Sequence, residues 1–493
     1  MRTRCTGSPH APINRMMKFA PMKTPLHFGF AVLLSLFGLP ALAAPAQPAA
    51  AKGAPACTDL DCLICPALKD PQNYAEGRMK LLREIVPGKD RWLFRSEVDL
   101  TNDFGIPANM RSEYARLMAA FKRQGIHVVM AIQPTRGLMH RDKLRPGQEM
   151  GFDYARANRN LSAYLQQMRA GGAVVPDVMQ LVNKPPAGEY FFRRDHHWTP
   201  AGAQATAQVV ADEIRRQPFY AGLTKTQYRT EPGVVVPKDG TMNLGLTYLC
   251  GNNFGMQYVR GYQTVPVADG ADALFDDTPD SQVILVGDSN AAAREDESKQ
   301  FNFDGYLKQY LDVDILNFAL PGAGQDGSLL EYLLSDSYKP AEPPKVVIWE
   351  LPANYQLDSP QMYRQLVPAI KGGCSTSQTL LSNRLDRPAL KVSDRIELLS
   401  NAGENRSNLK GSVGFLDIKI SDKNIKDFYV IVYYDNGQRD KVWFRREAAV
   451  TGGQYYLELS KAQEFQGANL LSVFMEPTKP SSGATQVETK LCL

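Results

Sequence analysis

Apolar residues follow two different rhythms along this chain. From about residue 80 to residue 372, short unbroken apolar runs alternate with stretches whose apolar positions recur every three to four residues. Residues 127–132 (HVVMAI), 283–286 (VILV) and 346–349 (VVIW) are runs of strand length. Unbroken runs suit strands covered on both faces. Residues 111–124 and 201–216 have helical spacing, and Thr199-Pro200 supplies a start signal for the second. This alternation predicts an α/β domain built on a largely parallel sheet. Helical periodicity fades only beyond Leu399. Strand-like runs follow at 412–420, 428–434, 441–445, 455–459 and 470–474. Asp435-Asn436-Gly437 reads as a hairpin turn, because Asn-Gly tolerates the positive φ of a type I′ turn. Such a series of short strands predicts a small antiparallel β-sandwich.

The N-terminus has a different texture. Lys18 and Lys23 precede the apolar residues 28–42, which end in Ala41-Leu42-Ala43. A basic region, an apolar region and an A-x-A site describe a secretory signal over residues 1–43. A retained anchor is the alternative, but Gly38 and Pro40 interrupt the apolar run and it is short for a membrane span. Residues 44–56, rich in Ala and Pro, read as a linker. Export implies an oxidising compartment. Of seven cysteines, Cys5 falls in the leader, leaving Cys57, Cys62, Cys65, Cys250, Cys374 and Cys492. An even number suggests disulfides, whose connectivity these residues alone leave open.

Length and charge narrow the picture further. The 493 residues exceed one ordinary core, so two domains are expected. A hydrophobic content of 44% with 22% charged residues belongs to a folded globular chain. A net charge of +4 is small for this length, and no nucleic-acid signature accompanies it.

Two short segments carry candidate chemistry. Gly287-Asp288-Ser289-Asn290 follows the run 283–286 and puts a serine at the carboxyl edge of a strand. Open α/β sheets place their chemistry at that edge. A serine hydroxyl needs a base and a carboxylate that holds the base in the right tautomer. Asp195-His196-His197-Trp198 offers both. On an extended segment Asp195 and His197 face one side. Ser289 at the start of a helix would aim free amides at a reacting oxygen. The Ser289 amide and the Gly322-Ala323-Gly324 turn are therefore candidate oxyanion donors, through Ser289, Gly322 and Gly324. Adjacent histidines do not usually converge on one ion, so no metal is expected, and no cofactor.

Together these motifs resemble the SGNH-hydrolase-like polysaccharide O-acetyltransferases. Further matching stretches are Asp90-Arg91-Trp92-Leu93-Phe94-Arg95, Gln133-Pro134-Thr135-Arg136-Gly137-Leu138, Phe152-Asp153-Tyr154, Leu249-Cys250-Gly251-Asn252, Trp349-Glu350 and Asn436-Gly437. The resemblance implies an SGNH-hydrolase-like α/β domain of permuted topology over residues 57–373, then a β-sandwich carbohydrate-binding module over 374–493. It implies Ser289 as nucleophile, His197 as base and Asp195 as orienting carboxylate, and disulfides Cys65–Cys250 and Cys374–Cys492. It implies a periplasmic enzyme that O-acetylates mannuronate residues of alginate. Its partners would be the proteins of an export and biosynthesis complex, with acetyl supplied by other acetylation proteins. The sequence departs from the family at 294–299 (REDESK), an extra charged stretch. At Phe301, near the family's active-site tyrosine, a tyrosine's contribution stays open.

The candidate polymer face on the β-region is Tyr433, Arg439, Lys441, Trp443 and Arg445. Aromatic rings stack on sugars and cations meet uronate carboxylates. Alternation puts Lys441, Trp443 and Arg445 on one exposed strand face. Arg136 and Tyr355, on loops after predicted strands, are expected to line the catalytic groove. Two rival readings are a non-catalytic polysaccharide-binding scaffold and a polysaccharide deacetylase.

Overall fold

Four parallel strands form the central sheet, in the order His127–Gln133, Val346–Pro352, Val283–Val286, Leu316–Asn317. The computed structural model of the protein describes residues 64–267, 281–404, 406–409 and 414–493. The expected leader and linker, with Cys57 and Cys62, lie outside the described residues. Every residue of Val283–Val286 is buried, as its unbroken apolar run requires. Helices Arg111–Arg123, Tyr154–Ala170, Pro200–Arg216, Phe303–Leu311 and Pro360–Ile370 share one core with this sheet. Asp153 and Thr199 cap two of them by accepting from the amides of Arg156 and Gly202.

A smaller core joins Leu68, Tyr74, Met79 and Leu82 to Met242 and Leu246. The Cys65–Cys250 disulfide fastens the same two segments. Beside it, Tyr228–Lys238 pairs with Gln257–Pro266 in a two-stranded hairpin. The sequence hides this hairpin, because Pro232, Gly233, Pro237 and Gly261 interrupt its alternation.

The β-region is a sandwich of two four-stranded antiparallel sheets. One runs Ile396–Ser400, Leu470–Pro477, Asp427–Tyr434, Arg439–Arg445. The other runs Gln454–Glu458, Phe415–Ile420, Thr485–Cys492, Thr379–Arg387. Side chains of both sheets form a common core. Helical spacing up to Leu399 misled at this point. A short 3₁₀ turn, Gly373–Thr376, leads into strand, because Thr379–Arg387 pairs along the C-terminal strand while Cys374–Cys492 ties their ends. The sandwich docks on the α/β domain through Phe415 and Tyr456, which join that domain's core, and through polar contacts. The Glu331 carboxylate accepts from the amides of Val450 and Thr451 at 3.1 and 2.7 Å, and Arg364 pairs with Asp440 at 2.5 Å. Among the described residues no helix is long and apolar enough to cross a membrane.

Candidate active site

The Asp195–Trp198 segment sits on a tight loop rather than on an extended strand. Phe191 and Trp198 are bridged across it, and the Phe192 amide donates to the His197 carbonyl. Asp195 then bends the chain back on itself: Oδ1 accepts from the amide of His197 at 3.0 Å and faces its Nδ1 at 2.5 Å. Oδ2 accepts from the Thr241 amide at 2.8 Å. The two side chains meet through this local turn, not through strand alternation. On the far side of the ring, His197 Nε2 lies 2.8 Å from Ser289 Oγ. Asp195 and His197 are buried, and Ser289 is half-buried.

Ser289 occupies a turn, and no helix begins there. Asp288 Oδ1 accepts from both the amide and the side chain of Asn290, at 2.7 and 3.0 Å. This Asx arrangement replaces the expected helix start, and the charged stretch 294–299 follows with only a short 3₁₀ turn, Glu297–Lys299. The amides around the serine are engaged. Gly287 donates to Ser328 Oγ at 2.9 Å and Asp288 to Glu350 Oε2 at 3.2 Å. Among the described residues the Ser289 amide has no such acceptor, so it is free for a ligand oxygen. Gly322 and Gly324 have φ of 76° and 70°, in a turn that only glycine adopts readily. The Leu320 amide bonds the Gly287 carbonyl at 3.0 Å and keeps that turn beside the serine strand.

Charges around the loop favour one protonation pattern. Burial would raise the Asp195 carboxyl, but His197 and Lys238 outweigh it and hold the carboxyl well below the usual range. Burial pushes His196 well down, so its ring is neutral, with Nδ1 2.7 Å from Thr241 Oγ1. Ligand atoms of Asp195, His196 and His197 lie within 4.8 Å of one another. They are already committed to hydrogen bonds, and Lys238 Nζ stands 4.0 Å from Asp195. That set suits a proton relay better than a cation.

Several residues hold the two motifs in register. Asn290 Oδ1 accepts from the Trp198 amide at 3.2 Å, and the Trp198 indole donates to the Asn290 carbonyl at 3.0 Å. Phe301 lies against His197 with ring centroids 5.3 Å apart. Arg136 does not line a groove. It is 1% exposed, donating to the carbonyls of Phe192 and Asp195 at 2.7 and 2.8 Å and pairing with Asp99. A guanidinium is buried at this cost only where many carbonyls satisfy it, so Arg136 shapes the Asp195 loop from beneath. Tyr355 is half-buried; burial, then the carboxyls of Asp288 and Glu350, push its phenol up. Glu350, Lys238 and Thr241 were not singled out for the site by the sequence reading. Glu350 had a signal, as a carboxylate inside an apolar strand; Thr241 had none.

Residues 85–353 match the family described as SGNH hydrolase-like domain, acetyltransferase AlgX. The chain belongs to this AlgX family. Residues 373–493 match a C-terminal carbohydrate-binding module. The alginate biosynthesis protein AlgX of Pseudomonas fluorescens is 33% identical over 440 residues, 87% of this chain and 88% of that protein. A solved structure of Pseudomonas aeruginosa AlgX has a TM-score of 0.78 at 32% identity, covering 87% of this chain and 99% of that one. The probable alginate O-acetylase AlgJ of Pseudomonas putida is 31% identical over 299 residues, 59% of this chain and 73% of its own length.

The AlgX-like chain presents its predicted polymer face at the surface. Trp443 is 43% exposed and stacks on Tyr429, with Arg445 over its ring. Arg439 and Lys441 are exposed beside it, Lys441 pairing with Glu476 at 3.1 Å. Tyr433 is half-buried beneath Arg395. Trp443 and Arg445 also line a cavity of about 470 Å³ whose other wall includes Gly322 and Ala323.

Proposed function

We propose that this chain is a periplasmic O-acetyltransferase that esterifies mannuronate hydroxyls of alginate. The observation that carries the reading is the continuous relay from Asp195 through His197 to Ser289, at 2.5 and 2.8 Å. His197 Nε2 takes the Ser289 proton as Oγ attacks the donor's acetyl carbonyl. Asp195 keeps Nδ1 protonated and stabilises the imidazolium. The amides of Ser289, Gly322 and Gly324 receive the developing oxyanion. His197 returns its proton to the leaving group, and acetyl remains on Ser289 as an ester. A polymer hydroxyl then loses its proton to His197 and attacks that ester. Acetyl passes to the sugar, and Ser289 recovers its proton.

The relatives' names supply alginate as the acceptor. The cavity running from the Gly322 turn to Trp443 and Arg445 supports a path for an anionic chain, with Tyr433, Arg439 and Lys441 extending it. Two disulfides support an exported protein, with the periplasm as its site and other acetylation proteins as the acetyl source. The domain limits 57–373 and 374–493 belong to the same reading. Labelling with a serine-directed fluorophosphonate tests the nucleophile. Ser289 should be the modified residue, and Ser289→Ala should fold normally while losing hydrolysis of a small acetyl ester by at least about a thousandfold. An alanine variant with the parent's activity rules the mechanism out.

A further inference from the structure

The hairpin strand Tyr228–Lys238 ends by turning its last side chain into the site. Lys238 is 8% exposed. Its Nζ donates to the Ser298 carbonyl at 3.0 Å, lies 4.0 Å from Asp195 Oδ1, and stands over Phe192 and Phe301 at 5.4 and 5.3 Å. A carbonyl, a carboxylate and two aromatic faces are all surroundings that suit an ammonium ion. Asp195 already accepts from His197 and Thr241, so Lys238 reaches it as a charge and not as a donor. Ser298 belongs to the charged 294–299 stretch. The other charges facing Lys238 are Arg294, Asp296 and Lys299 from that stretch, while Asp195 also faces His196 and His197.

A carboxylate 2.5 Å from an imidazole favours the imidazolium, which cannot act as a base. A buried positive charge on the same carboxylate works against that preference. Resting on the Ser-His-Asp reading above, we propose that Lys238, held by the Ser298 carbonyl, is a positioning residue that lowers the pH at which His197 becomes available as a base. Phe301 serves the same arrangement, since one ring touches both His197 and Lys238.

The test is the pH dependence of Ser289 labelling by a fluorophosphonate, and of kcat/KM on a small acetyl ester, in the full chain. Lys238→Met should move the acid limb of both profiles to higher pH by about one unit, the order expected of one charge a few ångströms away in a partly screened site. Lys238→Arg, which keeps the charge, should hold the limb near the parent's. Labelling counts only folded molecules, so a poorly folding variant loses amplitude while its limb stays readable. An unmoved limb in Lys238→Met, or an equal shift in both variants, overturns the role of the lysine charge. A parent protein that is never labelled at Ser289 overturns the triad reading instead, and this inference falls with it.

Discussion

Glu350 is fully buried beneath the serine turn, where burial and then the Asp288 charge raise its carboxyl well above the usual range. Its Oε2 accepts the Asp288 amide, which fixes the residue next to Ser289. A neutral carboxyl of this kind is well imitated by an amide. Glu350→Gln should therefore fold and retain Ser289 labelling within about threefold. The pH dependence of stability is more telling. In the unfolded chain Glu350 ionises near pH ~4.3, whereas the folded chain keeps the proton, so the parent loses stability as pH rises above that value. The glutamine variant has no such loss. Its melting temperature should gain on the parent's between about pH 5 and pH 8; a constant difference would mean that folded Glu350 is ionised. Residue types alone pointed to Ser289, His197 and Asp195, and the fold brings these three side chains within hydrogen-bond reach of one another. Arg136 was misread because a charged residue after a strand looks exposed in sequence. Only the fold discloses the carbonyls that surround it.

Among the elements, the turn after Val283–Val286 leaves little room beside the site. A Cβ on Gly287 would stand 2.6 Å from Glu350 Oε2 and 2.9 Å from Glu350 Cβ. Its φ is not positive, so the demand is for space alone. Gly287→Ala should cost about 1–3 kcal/mol by overpacking and pull Ser289 away from His197. The check is a denaturant midpoint read beside the labelling rate: a variant with unchanged midpoint and rate would show that this close approach is relaxed at no cost. Three central strands and the helices Arg111–Arg123 and Pro200–Arg216 were legible, since unbroken apolar runs and 3.6-residue spacing survive in them, whereas the helix Tyr154–Ala170 went unread. The Thr379–Arg387 strand and the hairpin ending at Lys238 were not legible either. The first takes its conformation from pairing with a strand over a hundred residues away, and prolines break the pattern of the second. The hairpin that went unread is the one that delivers a charge to the site.

Over the whole molecule, the Gly322 turn and Trp443 line one cavity. It lies between the helix Gly327–Leu333 and the loop after Arg445, and Glu331 locks that loop by its two backbone bonds. On the proposed reading, a docked sandwich would hold a long polymer at a fixed distance from Ser289. Esterase assays on small substrates do not report on this arrangement, since a transferase and a deacetylase share the same three side chains. The most direct measurement follows isotopically labelled acetyl from a small ester donor into polymannuronate, with the polymer's O-acetyl signals read by NMR. The account predicts acetyl gained by the polymer, acetyl-Ser289 trapped when polymer is withheld, and neither with Ser289→Ala. Acetyl removed from acetylated alginate with none gained, or undiminished transfer by Ser289→Ala, would contradict it.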